Sequence, residues 1–347
     1  MKAIRLLETG VVELTELPVP SVGPGELLLE MRACGLCGSD LGKIFGGTPL
    51  KLPVPLGHEL VGVVKAVGEG MMQRFALGDR LAVAHHVPCG RCRYCRHDND
   101  SMCPQFKATN IDPGGFAEYV RIPALHVAQT AFALPERLPD DVGIFMEPLA
   151  CALRAVKRSD VQAGDQIVVI GAGGMGLLVA QAVAVFGARP ICVDIREERL
   201  ELARALGIET TINIAGADPR MALRSVTEDD GIDGAILTAV SASMVEAALG
   251  VLRAGGKINL FADAGEAGRM TIDLGVFYRQ ELSLTATYSS TPVELGEAIR
   301  LLASGQIRTA PLISHRFDLS RFAEGARLQR EGQATKIVFY ANGTGAA

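Results

Sequence analysis

The sequence predicts an α/β protein with two domains, the second built on a doubly wound parallel sheet. Three observations carry this reading. The chain has 347 residues, too many for one ordinary core and enough for two. A glycine-rich turn at Gly171–Gly176 sits between a strand-like run and a helix-like run. From Asp165 onward, short β-branched runs alternate with longer helical stretches, as in successive βαβ units.

The composition narrows the class. Hydrophobic residues make up 48% and charged residues 21%, with 39 glycines, which excludes a disordered chain and gives no long apolar span for a membrane. The N-terminus, MKAIRLLETGVVEL, enters strand-like sequence at once and carries Glu8. It lacks the basic start, apolar run and cleavage site of a signal peptide, so a cytoplasmic location is expected. The eight cysteines are half clustered, a pattern that fits a reducing compartment better than a disulfide framework. The net charge of −5, the absence of tryptophan and an aromatic content of 5% argue against nucleic acid as a partner.

In chain order, the first half places metal-capable residues in glycine- or proline-rich loops: Cys37 in CGLCGSD, His58 and Glu59 in GHE, and Glu147 in MEP. Taken singly, a buried thiol, a core histidine and a solvated helix-start acid explain them equally well, and spacing alone does not join them. The run PCGRCRYCRHDNDSMC is more specific. Cys89, Cys92, Cys95 and Cys103 form a C-x2-C-x2-C-x7-C cluster, whose four soft thiolates would close a tetrahedral zinc shell and leave no position for substrate. The expected role is structural. Unrelated thiols, disulfides or a nucleic-acid zinc ribbon are the alternatives; Arg91, Arg93, Arg96 and His97 between the cysteines suit a solvated loop. Cys34 is read as a core thiol in preference to a redox pair with Cys37.

The second half begins with the strand QIVVIG, Gln166 to Gly171, and the turn Gly171-Ala-Gly173-Gly174-Met175-Gly176, which opens the helix GLLVAQAVAVFG. In this context G-x-G-x-x-G reads as the Rossmann dinucleotide turn: tight turn at Gly171, pyrophosphate approach at Gly173, helix–strand packing at Gly176. The next strand, PICVD, ends in Asp194, where a carboxylate would bind both adenosine ribose hydroxyls and repel a 2′-phosphate. NAD is expected over NADP, with Arg196 and Arg199 placed to cover the adenine side. Further strands are read at Thr210–Asn213, Gly234–Val240, Lys257–Ala262 and Leu282–Tyr288. From Pro292 the chain returns to a helix, VELGEAIRLLASG, and a strand, KIVFY, before a tail, ANGTGAA, expected to fray.

Together these motifs resemble the zinc-containing medium-chain dehydrogenase/reductase family, in particular its sorbitol (polyol) and threonine dehydrogenase branch. The resemblance spans the chain through CGSD (Cys37–Asp40), PLGHELVGVV (Pro55–Val64), GDR (Gly78–Arg80), the cysteine lobe, GGFAEYV (Gly114–Val120), EPLA (Glu147–Ala150), the glycine turn and Asp194. It implies a GroES-like β-rich catalytic domain over residues 1–152 with the zinc lobe at 89–103, a Rossmann NAD-binding domain over 153–290, and a segment, 291–347, returning to the catalytic domain. It also implies two zinc ions per subunit. Cys37 and His58 would be catalytic ligands, with Glu59 or Glu147 completing the set directly or through water. Asp40 would orient the His58 ring, Ser39 would take the substrate proton, and Gly173, Gly174, Met175, Gly176 and Arg199 would help hold the cofactor. The implied reaction oxidises a small secondary alcohol to a ketone, and the implied assembly is a homodimer or homotetramer without a membrane partner.

The sequence departs from that family in two places. Relatives carry a proton-passing histidine five residues after the ligand cysteine, where this chain has Gly42; Lys43 beside it becomes a candidate for the proton or for substrate contact. Polyol dehydrogenases carry an Arg-Tyr pair late in the Rossmann segment, where this chain has Thr287-Tyr288. The retained tyrosine and lost arginine argue against sorbitol itself. A polyol, sugar alcohol or cyclitol, phosphorylated or not, is expected; an amino alcohol such as threonine is the alternative, and a non-catalytic NAD-binding protein is the rival of another class.

Overall fold

The computed structural model describes residues 1–46, 52, 54, 56–70, 74–227 and 230–341. Pro55, which opens the PLGHELVGVV motif, and the tail beyond Ala341 lie outside the described residues. The chain divides into two compact units, Met1–Glu147 with Ser290–Ala347, and Pro148–Ser289. The division falls inside one helix, Met146–Arg158.

The first unit is built on a seven-stranded sheet. Its central strand, Leu27–Gly35, is almost continuously apolar and buried, as expected for a strand covered on both faces. Glu59–Val67 pairs with it along its length, Tyr119–Ile122 with its first half, and Lys336–Tyr340 with Cys34 and Gly35 at its end. Ile313–Asp318 runs parallel to Lys336–Tyr340 at one edge, and Arg80–Val83 and Ala131–Ala133 complete the other. The C-terminal segment is held by aromatic packing: the Phe116 ring lies 4.8 Å from Phe322 and 5.5 Å from Phe339, and all three are essentially buried. A Cβ at Gly325 would come within 2.5 Å of the Phe339 ring, so that helix reaches the ring only because it carries no side chain there.

The second unit is a six-stranded parallel sheet. Its spatial order is Thr210–Asn213, Arg189–Asp194, Gln166–Ile170, Ile232–Leu237, Leu252–Leu260, Ser283–Ala286. Counted along the chain this is 3-2-1-4-5-6, the doubly wound arrangement with a strand reversal beside the first strand. All six expected strands form, Thr210–Asn213 with the expected bounds and the other five with shifted ends. The strand read as Gly234–Val240 stops at Leu237 because the Thr238 hydroxyl donates to the carbonyls of Ile170 and Gly171, turning the chain out of the ladder. The strand read as Leu282–Tyr288 stops at Ala286, where Thr287 turns inward to accept from Asn259 Nδ2 at 2.9 Å. The strand read from Lys257 begins at Leu252 and pairs past an irregularity with Ile232. Among the described residues no helix is long and apolar enough to cross a membrane.

Candidate active site and metal centres

The short helix Gly38–Phe45 starts on Cys37, directly after the end of the central strand. Asp40, in its first turn, is fully buried and accepts from the backbone N–H of Cys37 at 3.3 Å and of Gly57 at 3.0 Å. One carboxylate thus fixes the cysteine loop and the histidine loop together. His58 Nδ1 lies 3.6 Å from Asp40 Oδ1, an electrostatic contact. Burial pushes Asp40 up, but the charges of His58 and Lys43 outweigh it and hold the carboxyl below its ordinary value. Burial likewise pushes His58 down, and Asp40 with Cys37 overcomes it, leaving the imidazole well above its ordinary value.

Donor atoms of Cys37, His58 and Glu59 all lie within 4.8 Å of one another. A thiolate, an imidazole and a carboxylate at that separation match the donor types and compactness of a catalytic zinc site. Glu59 has a second partner. Its carboxylate receives Lys336 Nζ at 2.6 Å on Oε1 and 2.5 Å on Oε2, and the ammonium also donates to the Leu36 carbonyl at 3.3 Å. Both side chains are buried. Burial lowers the Lys336 ammonium, and the charges of Glu59 and Cys37 more than reverse that. Gly35 makes room: a Cβ there would lie 1.9 Å from Glu59 Oε2. Glu147 is buried at the start of the Met146–Arg158 helix, and its charge also acts on Lys336.

Three imidazoles stack beside the cluster. The His58 and His85 rings are 4.4 Å apart, and those of His85 and His86 3.7 Å. His86 Nδ1–H donates to the Thr109 carbonyl at 2.7 Å, and His126 Nε2–H to the His85 carbonyl at 2.9 Å. Burial lowers His86 to about 4 and also lowers His85 and His126, so these rings are neutral near neutrality. Sequence reasoning passed over His85, His86 and Lys336. The two histidines stand next to each other just before the zinc lobe, and Lys336 heads a strand whose next three residues are buried; those were the available signals.

Ser39 is exposed on the first turn of the Gly38–Phe45 helix and Lys43 half-buried on its second. Lys43 acts electrostatically on Asp40, His85 and His86. A Cβ at Gly42 would meet no atom within 4 Å. Cys34 is fully buried, and burial raises its thiol well above the ordinary value, in line with a core thiol.

The four lobe sulfurs also lie within 4.8 Å of one another, with Cys92–Cys95 at 3.5 Å and Cys89–Cys95 at 4.0 Å. Four bonds of about 2.3 Å in a tetrahedron would separate sulfurs by about 3.8 Å. All four thiols are free. The N–H groups of Arg91 and Cys92 point at Cys89 and bring its thiol down to about 6, while burial and the neighbouring sulfurs push Cys95 up to about 12, as expected of thiols crowded into one site. Such a set suits a closed structural zinc.

In the second unit, two glycines of the turn are sterically obligatory. Gly171 has φ +94°, and a Cβ at Gly176 would lie 1.7 Å from the Gly171 carbonyl oxygen. A Cβ at Gly173 would approach only Arg199, at 4.0 Å, so the space above the turn is open to a ligand. Gly173 caps the Gly174–Val185 helix, whose first N–H groups, from Gly174, Met175 and Gly176, are a ready anion cradle. Asp194 accepts from the Ala172 N–H at 2.8 Å and the Arg196 N–H at 3.0 Å, with Arg199 Nη1 at 3.3 Å. Tyr288, 62% exposed, follows the buried Thr287.

Comparison with known proteins identifies the family. Residues 23–135 match the model of the alcohol dehydrogenase GroES-like domain, and residues 174–304 that of the zinc-binding dehydrogenase domain. Sorbitol dehydrogenase of Bacillus subtilis is 32% identical, covering 99% of this chain and 98% of its own. L-threonine 3-dehydrogenase of Aeromonas hydrophila is 30% identical, covering 97% and 98%. A zinc-binding dehydrogenase from Sinorhizobium meliloti, solved with NADP bound, superposes with a TM-score of 0.89 at 28% identity, over 98% of this chain and 99% of its own. Fold and site define an enzyme, a zinc-dependent NAD(H) alcohol dehydrogenase. The chain belongs to the zinc-containing medium-chain dehydrogenase/reductase family, in its sorbitol and threonine dehydrogenase-like branch.

Proposed function

We propose that this enzyme oxidises a secondary alcohol of polyol, sugar-alcohol or cyclitol type to a ketone, with Cys37, His58 and one of Glu59 and Glu147 as the catalytic zinc ligands. The observation that carries the reading is the convergence of Cys37, His58 and Glu59 within 4.8 Å. When bound, zinc supplies Lewis acidity toward an alcohol hydroxyl and NAD supplies the hydride acceptor.

The chain's own groups do the placing. Asp40 ties Cys37 to the Gly57–His58 turn and favours the imidazole orientation that ligation needs. Ser39 stands two residues beyond Cys37 on the open face of the helix, suited to receive the substrate proton and pass it to water or Lys43. Glu59 is held by Lys336 on both oxygens, so its approach to the metal and its grip on the ammonium compete; Glu147, buried at the start of the Met146–Arg158 helix, is the other candidate carboxylate. The helix N–H groups behind Gly173 would take the diphosphate, and Asp194 the adenosine ribose, which favours NAD; the NADP bound in the Sinorhizobium meliloti relative makes that preference one to measure. Tyr288 is the proposed substrate contact of the second unit.

The similarity to threonine dehydrogenases supports a second reading, an amino-alcohol substrate. We also propose a cytoplasmic homodimer or homotetramer. The exposed edge strand Ser283–Ala286, with Leu284 38% exposed, suits pairing with a second copy.

The deciding experiment measures zinc per subunit in wild type and Cys37→Ala, with NAD⁺ reduction over polyols, cyclitols, sugar phosphates and threonine. Two zincs falling to one with loss of turnover support separate catalytic and structural ions, and the panel names the substrate. One zinc in both proteins without NAD⁺ reduction moves the chain to the non-catalytic reading. Chelation under reducing conditions should lower the melting temperature as well as abolish turnover, since the lobe folds around its metal.

A further inference from the structure

A cavity of about 400 Å³ lies among the N-terminal β-hairpin of Lys2–Glu8 and Val11–Glu16, the last turn of the Gly38–Phe45 helix and the Phe322–Arg330 helix. Its walls are apolar: Val12, Ile44, Phe45 and Ala326 line it, with Ile44 and Ala326 buried. The floor is fixed, because the Gly10 N–H donates to the Ile44 carbonyl at 2.6 Å. None of the cysteine, histidine or carboxylate groups discussed above lines it, and nothing in the alcohol oxidation uses it.

Its charge is lopsided. Arg327 and Glu331 line the rim and neutralise each other at 2.8 Å. Arg330 also lines the cavity, and among the described residues no carboxylate lies within ion-pair distance of it. Its guanidinium instead stacks over the Phe45 ring at 4.2 Å. Stacking occupies the flat face of a guanidinium, while its N–H donors lie in the plane and remain available at the edge for a bidentate carboxylate. The aromatic contact also limits the rotamer freedom that binding would otherwise have to remove. A polyol would lose hydration against these apolar walls and recover hydrogen bonds only at the charged rim. A flat or branched hydrocarbon body carrying one carboxylate satisfies both the walls and the arginine.

We propose that this cavity binds a small organic carboxylate with an apolar body, the carboxylate on Arg330 and the body on Val12 and Phe45. The occupant would rest against the same two-turn helix whose first residues follow Cys37 and include Asp40.

The test is calorimetric titration of the full chain with benzoate and with benzamide, which has the same body without the charge. It uses wild type, Arg330→Gln, the rim-filling Ala323→Trp and Cys37→Ala, each checked for an unchanged far-ultraviolet spectrum. Expected are a millimolar Kd for benzoate, as suits so few heavy atoms, and binding weaker by about tenfold for benzamide and for Arg330→Gln. Binding should also be weaker in Ala323→Trp and unchanged in Cys37→Ala. Equal affinity in wild type and Arg330→Gln, loss of binding in Cys37→Ala, or no saturable binding in wild type would each overturn the proposal.

Discussion

Lys336 and Glu59 stand 277 residues apart in the chain and form one buried ion pair, with Nζ 2.6 Å from Oε1 and 2.5 Å from Oε2. The pair joins the last strand of the first unit to the strand that follows His58. Desolvating two ions costs heavily, so the intact pair adds little net stability, whereas removing one member leaves the other charged in the interior.

Lys336→Met should therefore destabilise the protein by about 3–5 kcal/mol in urea unfolding. The double variant Lys336→Met/Glu59→Gln should recover a large part of that loss, because no uncompensated charge remains. An unchanged urea midpoint in the single variant would end the claim that the pair is desolvated.

Gly42 occupies a helical position where a Cβ meets nothing within 4 Å. Gly42→His should be accommodated without loss of stability, since glycine is a poor helix former. It should add an ionisation near about pH 6.5 to the pH profile of turnover. A profile superimposable on that of wild type would show that proton release does not run past this position.

His86 is lowered to about 4 by burial, so below pH ~6.5 the unfolded chain binds a proton that the folded chain refuses. Stability should decline as the pH falls from about 6.5 to about 4, and the decline should be shallower in His86→Gln. Urea midpoints for both proteins across that range give the comparison, and parallel curves would mean that His86 is not held neutral. Asp40, which is lowered, keeps its charge over most of the window and does not produce the same slope.

Asp194 accepts from the Ala172 and Arg196 N–H groups and is the residue proposed to hold the adenosine ribose. Asp194→Ser should reduce kcat/KM for NAD by roughly 10–100-fold, the worth of a charge-assisted hydrogen bond. It should affect NADP far less, because Arg199 loses its carboxylate partner. If the ratio of the two cofactors' kcat/KM values does not move, Asp194 does not discriminate between them.

The Rossmann half was legible because its signals are local. A strand, a glycine turn and a helix follow one another within about 20 residues, and Gly171 and Gly176 answer to clashes that their neighbours create. Strand ends were misread where a side chain ends the ladder, as Thr238 and Thr287 do, since propensity does not register a hydroxyl finding a carbonyl or an amide across the sheet. The cysteine lobe was legible for the same reason, its ligands sharing one short loop. The Cys37–His58–Glu59 group was visible only through family resemblance, because two segments separated in sequence carry no shared periodicity. Lys336 escaped altogether: a lysine at the head of a strand reads as a solvated end, and only the register that sets Val338 opposite Gly35 brings it to Glu59.

The first unit is discontinuous, and this orders its assembly during synthesis. The chain emerges from its N-terminus, so residues 148–289 are complete and free to fold while the sheet that starts with the first residues still lacks its Lys336–Tyr340 strand. The catalytic half, begun first, is finished last. A chain that terminates early exposes the edge of Leu27–Gly35 at Cys34 and Gly35 and leaves Glu59 without its counter-ion. Unfinished molecules thus carry both an unsatisfied strand edge and an unpaired acid near Cys37, two features that finished molecules lack.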